Sequence, residues 1–394
     1  MGRPSRIVAT VLFLVAVGSA IVWRFSASEP SSADDPKPSA DLTGPVQPRV
    51  DGNRLVDART GDTWIPYGVN WSSFEYACTQ GWGYSSILDA NEPAQIAAAM
   101  ANWSVNTVRV PINQDCWLGT RGAPVSDSDN QRTPEGYREA LREFVDALHA
   151  QGMVVILDLQ SRKRETEDEF GNIAMPDAGS IDFWRSIASD YKDDESVIFD
   201  AFNEPYSRYD EVTQSYAFEL DWTCWRDGGC SAPAEDDKSE LTGRTYVVQG
   251  MAAVVDAIRG EGAKQPIMLA GLDYANDLSQ WLDHRPDDDQ LVASFHNYNF
   301  QRCNDRSCWD AEIAPVAEQV PLLTGEVGQD DPGAPHLKDY LEWADERGIG
   351  YLAWVWWDHE DDPMSLITGP SGAPTTPLGT TFRSHLLERA ARDE

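Results

Sequence analysis

Eight short, apolar, β-branched runs, most of them separated by longer amphipathic stretches, leave few folds open to this chain. The runs are Ile65–Asn70, Thr107–Pro111, Val154–Leu159, Val197–Asn203, Pro266–Leu269, Leu291–His296, Leu322–Glu326 and Tyr351–Trp356. Apolar residues recur at helical spacing in Pro93–Trp103, Tyr137–Gln151, Thr245–Arg259, His336–Arg347 and Thr380–Arg392. Helices after the fifth and sixth runs are the faintest in this pattern. Several runs are apolar throughout, as parallel strands covered on both faces must be. The alternation predicts an α/β protein, a closed (β/α)8 TIM barrel forming one catalytic domain. An open doubly wound sheet is the alternative, but no glycine-rich phosphate turn follows any early strand.

The barrel pattern begins after residue 48, and residues 49–394 read as its domain. Residues 28–48 are rich in Ser, Pro, Asp and Ala without an apolar period, which predicts a flexible linker. Before them, Arg3 and Arg6 precede an uncharged apolar run from Ile7 to Trp23. Residues 1–27 therefore read as a signal peptide or as an N-terminal membrane anchor, with residues 7–23 as the possible tether. Basic residues ahead of the run put the rest of the chain outside the cytoplasm, either secreted or held on the outer face of the membrane. Six cysteines, even in number and not in zinc-ligand array, suit that compartment. Cys224 with Cys230 and Cys303 with Cys308 are close enough to staple single loops. Cys78 and Cys116 remain, on adjacent loops at one end of the barrel.

Net charge is −34, from 65 acidic and 31 basic side chains. Such a surface repels phosphate backbones and anionic glycans, which excludes nucleic acid as a partner and leaves neutral substrates unaffected. The acidic runs Asp287–Asp289 and Glu360–Asp362 read as solvated loops. Asp127 and Asp129 resemble the start of a calcium loop, but Arg132 and Arg138 stand where that loop needs glycine and glutamate. No metal or cofactor is expected. Fifteen tryptophans suit either a core or flat faces for sugar rings.

In a barrel of this kind the active site lies where strands end and βα loops begin. There the sequence places Arg109-Val110-Pro111, Asn203-Glu204-Pro205, His296-Asn297-Tyr298, Gly325-Glu326 and Trp354. Burying so many polar groups is costly unless they partner one another or a ligand. Two glutamates meeting over one mouth are what glycoside hydrolysis needs: one protonates the leaving oxygen and the other attends the anomeric carbon.

These pieces, with Phe202 before Asn203, Thr324 before Gly325 and the opening Gly68-Val69-Asn70-Trp71, resemble glycoside hydrolase family 5, the cellulase-like retaining β-glycosidases. The resemblance spans roughly residues 55–357. It implies Glu204 as general acid/base and Glu326 as nucleophile, with Asn203 on the sugar 2-hydroxyl and Arg109 and Tyr298 supporting Glu326. It further implies His296 near Glu204 and Trp354 stacked on a sugar. Arg109 should hold Glu326 ionised by lowering its pKa, and Glu204 should sit where its proton is retained. The expected partner is a neutral β-linked polysaccharide or oligosaccharide of the β-glucan, cellulose or mannan type.

One departure from the family pattern stands at Gln160, in Asp158-Leu159-Gln160, where the family commonly has histidine. Gln160 hydrogen-bonds but does not titrate, so altered substrate contacts or pH dependence are expected rather than loss of the reaction. Trp71, Trp82 and Trp117 are candidate sugar platforms, each with packing beneath a loop as the alternative. Strand alternation sends Trp354 and Trp356 to one face and Trp357 to the other. Two other functions fit the same residues: a sugar-binding barrel without catalysis, and a transglycosylase or glycolipid-directed glycosidase.

Overall fold

The computed structural model describes residues 43–393 apart from 86–91, 129, 166 and 360. The expected signal or anchor segment and most of the linker lie outside the described residues. No helix among the described residues is long and apolar enough to cross a membrane.

The eight runs form eight parallel strands: β1 Tyr67–Asn70, β2 Thr107–Asn113, β3 Val154–Lys163, β4 Val197–Asp200, β5 Ile267–Ala270, β6 Leu291–Tyr298, β7 Leu322–Gly328 and β8 Gly350–Ala353. Each pairs with its neighbour in sequence and β8 pairs with β1, so the sheet closes into a barrel. Closure brings backbones tightly together at Gly68, where a Cβ would stand 1.6 Å from the Thr107 carbonyl oxygen. Only glycine fits there.

Val154, Ile156, Ile198, Met268, Val292, Leu323 and Leu352 form one buried cluster. Leu55 belongs to the same cluster, contributed by the hairpin Pro48–Asp51 with Arg54–Asp57. Helices α1 Pro93–Ala101, α2 Pro134–His149, α3 Ala178–Tyr191, α4 Met251–Gly260, α5 Pro335–Asp345 and α6 Leu378–Asp393 supply the layer around the strands. Helix α3 lies outside the stretches expected to be helical; Asp177 starts it with a capping box closed by Ser180. The helix expected from Thr245 starts instead at Met251, because Thr245–Val247 pairs antiparallel with Ser231–Pro233. After β5 only short helical turns are found, and after β6 a helical stretch over residues 306–317 that widens to a π-turn at Trp309–Ile313.

Candidate active site

Two irregularities in the sheet shape the barrel mouth. Between β6 and β7 the register runs Phe295 to Thr324 and then His296 to Glu326, leaving Gly325 as an extra residue. Thr324 points outward, its hydroxyl bonded to Tyr340 of α5. Alternation would turn Glu326 the same way, and the bulge reverses it into the mouth. Gly325 also makes room: a Cβ there would stand 3.0 Å from both His296 Nε2 and Ser294 Oγ. A second bulge, between β2 and β3, leaves Gln160 as the extra residue.

Arg109 occupies the centre, fully buried. Its guanidinium donates to Glu326 Oε1 at 2.9 Å, Asp200 Oδ2 at 2.9 Å, Asn203 Oδ1 at 2.8 Å and Asn70 Oδ1 at 3.0 Å, with Asp158 Oδ1 at 3.1 Å. Gln160 Oε1 lies 3.5 Å away. One cation thus orders Asn70, Asn203 and three carboxyl groups, which is why β1, β2, β3, β4 and β7 can all end in polar residues. Burial lowers its pKa, but Asp158, Asp200 and Glu326 together raise it well beyond the ordinary arginine value.

Glu326 accepts a second hydrogen bond from Tyr298 Oη at 2.5 Å. His296 Nδ1 lies 2.9 Å from Glu204 Oε1 and 3.5 Å from Glu326 Oε2, so one imidazole bridges the two glutamates. Burial pushes Glu204 up to about 8, with Arg109 opposing and Asp237 assisting. Only 18% of that side chain remains exposed to solvent. Burial also depresses His296 to about 4. For Glu326 the expectation of a lowered pKa does not hold: burial pushes it up and the neighbouring Glu204 adds to the rise, and although His296, Arg109 and Tyr298 pull it down, the net direction is upward. The two glutamates therefore compete for protons, and Glu326 is the one hydrogen-bonded directly to the guanidinium and the phenol, which favours its ionised form.

Above these groups lies a cavity of about 810 Å³, lined among others by Glu204, Glu326, Gln160, Tyr298, Trp354 and Trp357. Trp357, not Trp356, shares it with Trp354. Strand β8 stops at Ala353, so alternation no longer governs, and Trp356 is buried against Trp103 at 4.8 Å. Trp71 is corrected to a core residue, 1% exposed and 4.9 Å from Phe144 of α2. Asn70 turns inward to Arg109, which sends its successor outward. Trp117 is likewise buried, against Phe183. Trp82 is 57% exposed and lines the cavity.

Sequence reasoning gave no role to Asp158, Asp200, Glu75 or Tyr274. Asp200 shares the face of Ile198, an inward-pointing parity that could have revealed it. Glu75 lines the cavity only 3% exposed, receiving the Ser72 hydroxyl and the Ser73 N–H. Burial foremost pushes it up to about 7, and Glu326 adds to the rise. Donor atoms of Glu204, His296 and Glu326 all lie within 4.8 Å of one another, close enough to grip a metal ion. The same holds for Cys303, Cys308 and Glu312, but those thiols are joined as a disulfide. Cys78–Cys116 and Cys224–Cys230 are joined as well.

The model of the cellulase family, glycosyl hydrolase family 5, matches residues 61–360. An endoglucanase A of Butyrivibrio fibrisolvens is 24% identical over 319 residues, covering 77% of this chain and 59% of that protein. The chain thus spans well under two thirds of that relative's length. Among solved structures, a β-glucanase from Saccharophagus degradans in complex with cellotetraose aligns with a TM-score of 0.65 and 20% identity, over 90% of this chain and 98% of its own. The endoglucanase catalytic domain from Thermobifida fusca aligns at 0.60 and 15% identity, over 86% and 97%. At such identities these likenesses concern the fold.

Proposed function

The chain belongs to glycosyl hydrolase family 5, and from that premise we propose that this glycoside hydrolase cleaves neutral β-glucan chains with retention of anomeric configuration, using Glu204 and Glu326. The observation that carries the reading is the closeness of the two carboxyl groups, whose oxygens approach within 4.8 Å across the cavity mouth. Retaining enzymes hold their carboxyls about 5–5.5 Å apart, whereas inverting ones leave about 6.5–9.5 Å for a water. So close an approach favours the retaining arrangement. The cellotetraose bound by the Saccharophagus degradans relative supports a glucan as substrate.

The division of labour rests on hydrogen bonding. Glu326, held by Arg109 and Tyr298, attacks the anomeric carbon as a carboxylate. Glu204, raised by burial, gives its proton to the glycosidic oxygen as that bond breaks, leaving a glycosyl ester on Glu326. Glu204, now a carboxylate, takes a proton from water, whose oxygen attacks the same carbon and frees Glu326. His296 keeps Glu204 in register. Among the described residues nothing accepts a hydrogen bond from its Nε2, so the imidazole proton belongs on Nδ1, donated to Glu204 Oε1. The acid's own proton is then left on Oε2.

Proton NMR of the first product formed from a β-glucan oligosaccharide tests the reading, with the β anomer expected before mutarotation. Glu326→Gln should abolish turnover, and azide should rescue Glu204→Ala on an activated aryl glycoside as a β-glycosyl azide. Initial release of the α anomer, or full activity in Glu326→Gln, would refute it. The basic-flanked apolar run and three disulfides support a place outside the cytoplasm for this domain. Fractionation of cells expressing the full chain checks that, and enzyme confined to the cytosol would contradict it.

A further inference from the structure

The cleft wall beside Glu204 contains a strained segment that the two-glutamate chemistry does not explain. Asp273, Tyr274 and Ala275, just after β5, have φ of 53°, 57° and 61°. L residues visit that left-handed region singly and at a cost, so three in succession persist only where the surroundings over-determine them. Here they do. Tyr274 N donates to the Pro205 carbonyl at 3.0 Å, next to Glu204. Gln301 Nε2 donates to the Tyr274 carbonyl at 3.2 Å while its Oε1 accepts from Tyr298 N at 2.9 Å. Asn276, immediately beyond, donates to the His296 carbonyl at 2.9 Å and accepts from Cys303 N at 2.7 Å. The turn is therefore tied to Pro205 beside Glu204 and to the backbones of His296 and Tyr298.

The product of this bracing is one ring in one place. Tyr274 stacks parallel on Tyr206, centroids 5.0 Å apart and planes 2° apart, and lines the cavity. Tyr206 is itself 1% exposed and anchored through its hydroxyl to the Asn172 carbonyl at 2.6 Å.

Barrel order assigns this ring to one half of the cleft. Tyr76, with Trp82, Phe170 and Trp357 gathered around it, comes from the loops after β1, β3 and β8. Tyr274 and Tyr206 come from those after β5 and β4, the side that carries Glu204. A general acid must reach the oxygen of the departing sugar, so that sugar lies on the Glu204 side.

We propose that Tyr274 is the platform for the leaving-group sugar, a neutral pyranose packing its C–H face on the ring, and that the left-handed turn holds this platform rigid beside the acid. The proposal rests on the glucanase activity inferred for the two glutamates. Its test compares wild type, Tyr274→Phe and Tyr274→Ala on cellotetraose and on β-cellobiosyl fluoride, whose leaving group is too small to touch the ring. In Tyr274→Ala, kcat/KM on cellotetraose should fall about tenfold, the worth of one aromatic stacking contact, with the fluoride turned over as before. Tyr274→Phe should match wild type on both, and Tyr274→Leu repeats the comparison should the alanine protein unfold. Equal losses on both substrates, or none on cellotetraose, would overturn the role given to Tyr274. A wild type inert on both substrates would instead overturn the glucanase activity itself, and this proposal with it.

Discussion

His296 Nδ1 lies 2.9 Å from Glu204 Oε1, yet the two do not form an ion pair at neutral pH. Burial holds the imidazole down at about 4 and Glu204 up at about 8, so between those values both partners are uncharged. A neutral acid is what the first chemical step consumes. As pH rises through about 8, Glu204 loses its proton and kcat/KM should fall with a slope of one. As pH drops towards 4, His296 gains charge and Glu326 gains a proton, which closes the profile on the acid side. The pH dependence of kcat/KM reports these groups in the free enzyme. An alkaline limb already complete by about pH 6 would contradict the assignment of the acid to Glu204.

Arg109 offers a sharper separation of charge from geometry. Removing it as Arg109→Ala strands Asp158, Asp200 and Glu326 without their common cation, which should cost about 3–5 kcal/mol of stability. Arg109→Lys keeps the charge but has no planar fork to satisfy five acceptors at once. The lysine protein is expected to fold with kcat lowered about a hundredfold, because Glu326 is no longer held in line. Circular dichroism and denaturant titration would check folding beside the kinetics. Wild-type kcat in Arg109→Lys would show that the positive charge alone suffices.

Much of this could be read from the amino acids, and what could not has identifiable causes. Each barrel strand is legible because residues such as Val154, Val155, Ile156 and Leu157 are buried on both faces and so leave an unbroken apolar run. Glu204 and Glu326 are legible through the residues around them. Alternation misleads where it is interrupted: the bulge at Gly325 turns Glu326 inward, and the end of β8 at Ala353 frees Trp357 to face the cleft. Applied at Asn70 the same rule would have placed Trp71 in the core. Tyr274 had no signal, since a left-handed turn without glycine contradicts local preference and is stabilised only by tertiary hydrogen bonds.

Glu75 supplies a prediction that no motif suggested. Its carboxyl, pushed up to about 7 mainly by burial with the charge of Glu326 adding to the rise, titrates in the range where the enzyme would work. Glu75 takes its proton before Glu326 does as pH falls, so it is uncharged while Glu326 titrates, and Glu75→Gln should leave the pKa of Glu326 where it is. The acid limb of kcat/KM then stays in place, as does the alkaline limb set by Glu204. Profiles of the two proteins on one soluble glucan, measured side by side, decide it. A displaced acid limb in Glu75→Gln would contradict this and show that Glu75 carries its charge while Glu326 titrates.

The disulfides should differ in worth because they close loops of different length. Cys78 and Cys116 are 38 residues apart, against 6 for Cys224–Cys230 and 5 for Cys303–Cys308. Chain-entropy reasoning assigns about 4 kcal/mol to the first and about 2 kcal/mol to each of the others. The long-range bond also joins the loops after β1 and β2, where Asn113 Nδ2 donates to the Glu75 carbonyl at 2.9 Å. Cys78→Ser with Cys116→Ser should therefore lose the most stability in guanidinium titrations and raise KM by loosening the Tyr76 and Trp82 side of the cleft. Its kcat should change little, since Arg109, Glu204 and Glu326 are held by the barrel strands and not by that bond. A larger loss from either short-loop pair would mean that native-state packing, not loop closure, sets the contribution of these bonds.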